Sequence, residues 1–200
     1  MTYQPKNFSS LLGMRGFSDG LLKDHFGLYE GYVSQTNELL EKTRRLSETG
    51  LDSAEFSELK RRLGWEFNGM RLHELYFANL GGRGGSPRGE LLELLKRTFG
   101  SFEAWNDEFQ AVGSMRGVGW AISYYDPNAD QLLNLWIDEH DTYHAAGCTP
   151  LIVMDVWEHA FAKDYGTNRA SYITAFMENV DWNVVESRLA AAASEVSASR

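Results

Sequence analysis

Seven residues, Gly81-Gly82-Arg83-Gly84-Gly85-Ser86-Pro87, include four glycines and a proline. No helix interior or central strand runs through such a stretch. Glycine loses the most backbone entropy on ordering, and proline has no N–H to donate. The segments on either side must therefore form separate elements. The sequence divides here into an N-terminal unit, residues 1–85, and a C-terminal unit, residues 86–200. A phosphate-cradling loop is the competing use for so many glycines. It needs G-x-G-x-x-G after a strand, or a loop ending G-K-[ST], and this stretch has neither.

Before the break the apolar residues keep a helical period. Leu21, Leu22, His25, Leu28, Tyr29, Tyr32, Val33, Leu39 and Leu40 recur near 3.6 residues, after a start at Ser18-Asp19-Gly20. Gly50 interrupts the pattern, and Asp52 or Ser53 can cap a second helix. That helix carries Phe56, Leu59, Leu63, Phe67, Met70, His73, Leu75, Tyr76 and Leu80. The short connection predicts an antiparallel helical hairpin.

After the break, two shorter helices are expected near 89–98 and 101–114, the second starting at Ser101. The period then drops to that of strands. Segments 119–125 and 131–137 flank the turn Asp126-Pro-Asn-Ala-Asp130 and read as a hairpin. A third strand is expected over 148–154, then helices over 168–178 and from Asp181 onward, with the tail fraying from about Ala190. The fold class is α+β: an N-terminal antiparallel helical hairpin followed by an α/β domain with a three-stranded antiparallel sheet.

Composition removes several classes of function. The net charge is −9 and no basic stripe interleaves with aromatics, so a nucleic-acid partner is not expected. No apolar run approaches 18 residues and the N-terminus has no apolar leader segment, so no membrane partner is expected and the cytoplasm is the expected compartment. Cys148 is the single cysteine, so no internal disulfide can form; it reads as a small core residue.

The apolar run Leu151-Ile-Val-Met ends on Asp155, and His159 follows four residues later. Carboxylate and imidazole are donors that hard and borderline metal ions share. The chain has five histidines: His25, His73, His140, His144 and His159. His25 and His73 lie on the apolar faces of the two opening helices. Either alone reads as a core histidine, yet antiparallel helices can bring both into one seam. With Asp155 and His159 they make three nitrogens and one oxygen, a set suited to Mn, Fe or Zn rather than Mg or Ca. Other constellations fail. His73-Glu74 is not followed by the second histidine of H-E-x-x-H, the paired E-x-x-H of di-iron bundles is absent, and one cysteine cannot build a thiolate zinc site. No G-x-S-x-G marks a serine nucleophile.

The segment Asp155-Val-Trp-Glu-His159-Ala, with Gly117-Val-Gly-Trp120, Phe99-Gly-Ser-Phe102, Asp164-Tyr165 through Arg169 to Tyr172, and Asn179-Val-Asp-Trp182, resembles the iron/manganese superoxide dismutases. The resemblance covers nearly the whole chain and is tightest from about 99 to 189. It implies one Mn or Fe ion per chain, bound by His25, His73, Asp155 and His159 with a solvent molecule in the fifth position. It implies redox cycling that converts superoxide to dioxygen and hydrogen peroxide. His140 takes the place of a family glutamine that bonds the metal-bound solvent; the alternative place for that glutamine is Gly69 here. Tyr32 stands for the gateway tyrosine, and Trp120 and Trp157 for aromatics that wall the site. Glu158 matches a glutamate that reaches His159 of the partner subunit, so a homodimer is expected. His144 has no counterpart role and reads as exposed or locally bonded.

The first helix departs from the family pattern. Tyr29 stands four residues after His25, where the family has a histidine, and Tyr32 stands seven after it rather than eight. Ala162 replaces the tyrosine that pairs with the absent histidine, and Phe77 replaces a tryptophan. The expectation is a helix without the family's extra residue, which would form a π-bulge, with Tyr32 still pointing inward and Tyr29 helping to rebuild the entrance. The altered gateway also supports a second reading, a non-catalytic dimeric metal-binding or interaction protein on the same fold. A non-haem iron oxygenase fits less well, because such sites use three protein ligands.

Overall fold

The computed structural model describes residues 2–46 and 50–198, with side chains to residue 194. Helix α1 (Asp19–Leu46) and helix α2 (Ala54–Ala78) form the expected pair. The Ser18 hydroxyl accepts from the Leu21 amide at 3.0 Å and caps α1. Ser53 caps α2 by accepting from the Phe56 amide at 3.1 Å. Along α1 the buried residues Leu21, Leu22, His25, Tyr29, Val33, Thr36, Leu39 and Thr43 recur every three or four positions, which is one helical face. The helix is α throughout, with no π segment.

The C-terminal half begins with α3 (Gly89–Phe99) and α4 (Phe102–Gly113), the latter capped by Ser101. Strands β1 (Gly119–Asp126), β2 (Gln131–Asp138) and β3 (Thr149–Asp155) form an antiparallel sheet in the order β2-β1-β3. β1 is central and its residues Gly119–Tyr125 are all buried. After β3 come a 3-10 turn (Glu158–Ala160), the one-turn helix α5 (Ala162–Tyr165), α6 (Arg169–Glu178) and α7 (Trp182–Ala198). The two short pieces after Asp155 have no counterpart in the sequence reading, because three or four residues cannot show a period. α7 also continues past Ala190, where fraying was expected. Alanine is the best helix former, and Ala192 is buried.

The glycine stretch is needed for a close approach. Gly82 and Gly84 donate backbone hydrogen bonds to the carbonyls of Asn179 and Val180 at 3.0 and 3.2 Å. A Cβ on Gly82 would overlap the backbone between α6 and α7, and one on Gly84 the last residues of α6. One hydrophobic core extends from Leu21, Tyr76 and Phe77 on the helical pair to Trp120, Val153 and Phe176. Asn79, fully buried at the end of α2, joins the two halves. Its side-chain oxygen accepts from the Val153 amide at 2.9 Å, and its amide donates to the Tyr76 carbonyl at 2.7 Å. Because α2 carries His73 and β3 ends on Asp155, this link fixes the distance between them.

Candidate metal centre

Four elements each deliver one side chain to a common point. His25 comes from α1, His73 from α2, Asp155 from the end of β3, and His159 from the 3-10 turn. Their donor atoms all lie within 4.8 Å of one another. Asp155 Oδ2 stands 3.2 Å from His25 Nε2, 3.6 Å from His73 Nε2 and 3.1 Å from His159 Nε2. His25, His73 and Asp155 are buried, and His159 is half-buried.

The carboxylate is held from behind. Asp155 Oδ1 accepts from the Trp157 amide at 2.8 Å, which turns Oδ2 toward the histidines. The Tyr172 hydroxyl donates to the Asp155 carbonyl at 2.5 Å. Trp120 on β1 pairs directly with Asp155, so the two side chains share one face of the sheet.

The orientation of His73 decides what can sit here. Its Nδ1 is 2.6 Å from the Gly69 carbonyl. A carbonyl only accepts, so Nδ1 carries the proton. Burial holds the His73 pKa well below the usual imidazole range, with the neighbouring His25 adding to the effect, so the ring is neutral at pH 7. Its buried Nε2 is then a bare acceptor with no hydrogen-bond partner, facing a carboxylate oxygen. Two acceptors pointed at one another in a dry interior are costly unless a cation lies between them. Burial also lowers the His25 pKa. It would raise that of Asp155, but the His159 and His25 imidazoles outweigh it and keep the carboxylate ionised. Neutral imidazoles and an anionic carboxylate are the protonation states that bind metal.

Comparison with known proteins agrees with this geometry. Residues 87–188 match the family model for iron/manganese superoxide dismutases, C-terminal domain. The chain belongs to the iron/manganese superoxide dismutase family. A superoxide dismutase [Fe] of Pyrobaculum aerophilum is 39% identical over 165 residues, 80% of this chain and 78% of the relative. A superoxide dismutase [Mn] of Haloarcula marismortui is 38% identical, covering 78% of this chain and 76% of the relative. A superoxide dismutase [Fe] of Aquifex pyrophilus is 35% identical, covering 92% and 90%. Both metals thus occur among similar family members, in keeping with a donor set that does not separate them.

Around the four donors the structure gathers the aromatic residues singled out by the family resemblance. The Tyr32 ring stacks on His73 with centroids 5.0 Å apart, and its hydroxyl lies 2.8 Å from His140 Nε2. Tyr32 therefore points inward despite the missing residue. Trp120 Nε1, which can only donate, bonds His140 Nδ1 at 3.0 Å. Burial pushes the His140 pKa down to about 4, so its ring is neutral at pH 7. With Nδ1 accepting, the ring proton is on Nε2 and is donated to Tyr32 Oη. The Tyr32 hydroxyl hydrogen is left free for another acceptor. Burial raises the Tyr32 pKa, with the Asp155 charge adding to the effect, so the hydroxyl keeps its proton. Trp157 stacks on His140 and His159, at 4.9 and 5.8 Å.

Tyr29 is placed differently. Its hydroxyl donates to Glu74 Oε1 at 3.1 Å and accepts from the Lys6 amide at 3.0 Å. Glu74 also pairs with Lys6 and Arg71, at 2.9 and 2.8 Å. The Tyr29 ring touches His73 and Phe77 from behind, while its polar end ties down the N-terminal segment. Glu158 is exposed and lines a surface cavity of about 610 Å³ together with Arg116, Ala162 and Arg169.

One residue near the site escaped the sequence reading. Trp65 packs on His140 at 4.5 Å and donates from Nε1 to Glu139 Oε2 at 2.8 Å. Its signal was available: it lies eight residues before His73, on a neighbouring face of α2. His144, read as exposed or locally bonded, bonds the His140 carbonyl four residues back and also Tyr124, a partner nothing in its sequence context pointed to.

Proposed function

We propose that the chain dismutates superoxide to dioxygen and hydrogen peroxide with one Fe or Mn ion held by His25, His73, Asp155 and His159. The observation that carries this reading is the bare, buried His73 Nε2 facing Asp155 Oδ2 inside a ring of donors. Relatives named for the same activity support it. When bound, the metal supplies a one-electron couple that oxidises one superoxide and reduces the next. The chain supplies the rest. Asp155 contributes the single negative charge of the donor set, which favours the higher oxidation state. His140 and Tyr32 form a proton-bearing pair beside the donors, and Tyr32 has a hydrogen to give. Trp120 and Trp157 fix His140 and, with Tyr32, fill the space around it, so only small ligands can approach. Tyr29 supports His73 from behind.

The finer assignments complete this reading. The active form is a homodimer, supported by the exposed position of Glu158 one residue before His159 and by the cavity it lines. The compartment is the cytoplasm, in keeping with a single cysteine; no helix among the described residues is long and apolar enough to cross a membrane. The glycine stretch marks the boundary between an N-terminal unit, 1–85, and a C-terminal unit, 86–200. Nucleic acid is not a partner, given the acidic net charge.

The second reading, a non-catalytic metal-binding protein, draws on the changed gateway: Tyr29 turns its hydroxyl to Glu74, and Ala162 offers no polar group. One preparation separates the two. Metal content by mass spectrometry and dismutation rate are measured on the same sample. Stoichiometric Fe or Mn with rapid dismutation is expected. Full occupancy without activity would favour the second reading, and no uptake on reconstitution would refute both.

A further inference from the structure

His140 sits in a turn whose flanks are joined by the Asp138–Thr142 bridge and by the Glu139 amide, which donates to the Val118 carbonyl at 3.3 Å. Glu139, just before it, and Tyr143, three residues after it, have φ of +48° and +74°. Neither is glycine, and left-handed backbone at such residues persists only where surrounding contacts enforce it. Tyr143 is 70% exposed, so packing supplies little at the apex. The aromatic contacts of Trp65, Trp120 and Trp157 act on the His140 ring. They set its plane and tautomer, while the backbone bonds of the turn fix Asp138, Glu139 and Thr142 and leave the His140 carbonyl to a side chain.

His144 supplies that fixing. Its Nε2 is 2.9 Å from the His140 carbonyl. A carbonyl cannot donate, so Nε2 carries the ring proton. In the neutral ring Nδ1 is then the acceptor, and it lies 2.7 Å from the Tyr124 hydroxyl. Tyr124 is on the central strand β1 and is 3% exposed. The chain of bonds therefore runs from the buried central strand, through one imidazole, to the backbone of the residue that bonds Tyr32. Every polar atom in it has the role its chemistry allows.

We propose that His144 is a positioning residue for the dismutation site: by tying the His140 carbonyl to Tyr124 it holds His140 at bonding distance from Tyr32. The inference rests on the functional reading above for its effect on turnover, but not for its effect on His140 itself. Groups that orient functional side chains typically change activity by 10–100-fold when removed. With three indoles still confining the ring, the low end applies.

The test uses the full chain loaded with manganese, and the same chain without metal for NMR. His144→Ala is expected to lower kcat about ten-fold with metal content unchanged. In the metal-free protein it is expected to broaden the His140 Nε2–H signal, as the proton is no longer held against Tyr32. His144→Gln is expected to restore both to within about two-fold. Its amide N–H can donate to the carbonyl and its oxygen can accept from Tyr124. Wild-type kcat and a sharp His140 signal in His144→Ala would overturn the proposal, as would a folded His144→Gln no better than His144→Ala. If His144→Ala does not fold, Tyr124→Phe removes only the anchor, and an unchanged His140 signal there would overturn it. A wild-type protein without dismutase activity would sink the functional reading alone, because the NMR signals still report on His140.

Discussion

Gly69→Ala adds one methyl group to the interior of α2, and the structure states what that group meets. A Cβ at position 69 would lie 2.7 and 2.8 Å from Cδ1 and Cε1 of Tyr32. Carbon atoms in ordinary contact are about 3.5–4.0 Å apart, so the ring must retreat by about 0.7 Å or more. The ring is not a flexible tip. It stacks on His73 at 5.0 Å, meets Trp65 at 5.7 Å and bonds His140 at 2.8 Å. A shift of that size along the bond stretches the Tyr32–His140 contact to about 3.5 Å, outside hydrogen-bonding range. The backbone itself gains, since alanine is about 1 kcal/mol better than glycine in a helix. Overpacking costs about 1–3 kcal/mol, so net stability should fall by no more than about 2 kcal/mol. The Gly69 carbonyl that orients His73 is retained in the variant, so metal binding should survive.

The expected result is a divided one. Gly69→Ala should keep about one metal ion per chain and a near-normal melting temperature, while kcat falls by about ten-fold or more, the low side of what positioned acid–base groups contribute. Metal analysis, calorimetry and pulse-radiolysis kinetics on one preparation would show it, and a crystal structure would show the Tyr32–His140 distance. A variant with wild-type kcat and the 2.8 Å bond intact would refute the steric argument. Loss of metal together with activity would refute the claim that Gly69 acts on Tyr32 rather than on His73.

Asp155→Asn removes the only anionic donor and should reduce metal affinity by at least about ten-fold; full occupancy after dialysis against a chelator would contradict this. Tyr29→Phe leaves the Lys6 amide without its acceptor and should cost about 1–2 kcal/mol in urea unfolding, with kcat within about two-fold of wild type. A large loss of turnover at unchanged stability would instead place Tyr29 in proton supply. The metal-free protein should weaken in acid. Burial holds His140 near pKa 4, whereas the unfolded ring titrates near 6.5, so between these values the unfolded chain binds a proton that the folded one does not. Stability is therefore full above pH 6.5 and lost as pH falls toward 4, by up to about 3 kcal/mol from His140 alone. The buried His25 and His73 act in the same direction. Unfolding at pH 7.5, 6 and 5 would measure the slope, and stability that rises toward pH 5 would refute it.

The elements were legible because they repeat. The third strand was read over 148–154 and lies at Thr149–Asp155; the third helix was read over 89–98 and lies at Gly89–Phe99. Segment 158–165 is too short to carry a period. The donors were legible by their chemistry, but their convergence was not a property of the chemistry. His25 and His73 have the sequence context of core histidines. What makes them a site is the buried Asn79 link between α2 and β3, together with the Trp157 amide that turns the Asp155 carboxylate toward them. Neither bond has a signature in the chain. The same holds for Trp65 and His144, whose roles follow from which of several possible acceptors each one meets.

The first helix shows how far a period can be taken. At about 100° per residue, Tyr32 lies about 20° short of His25 after two turns, and Tyr29 lies about 40° past it after one. A tyrosine eight residues on would lie about 80° past. Both tyrosines of this chain therefore flank His25 on the buried face, but on opposite sides of it and at different heights. That separation is why one reaches His140 and the other Glu74. At seven residues from His25, the Tyr32 ring faces His73 and His140. The Tyr32 ring lies on the side where α2 presents Gly69 and leaves space for it. Tyr32 and Gly69 are thus a coupled pair, and the absence of a side chain at 69 is what lets Tyr32 deliver a hydroxyl to His140.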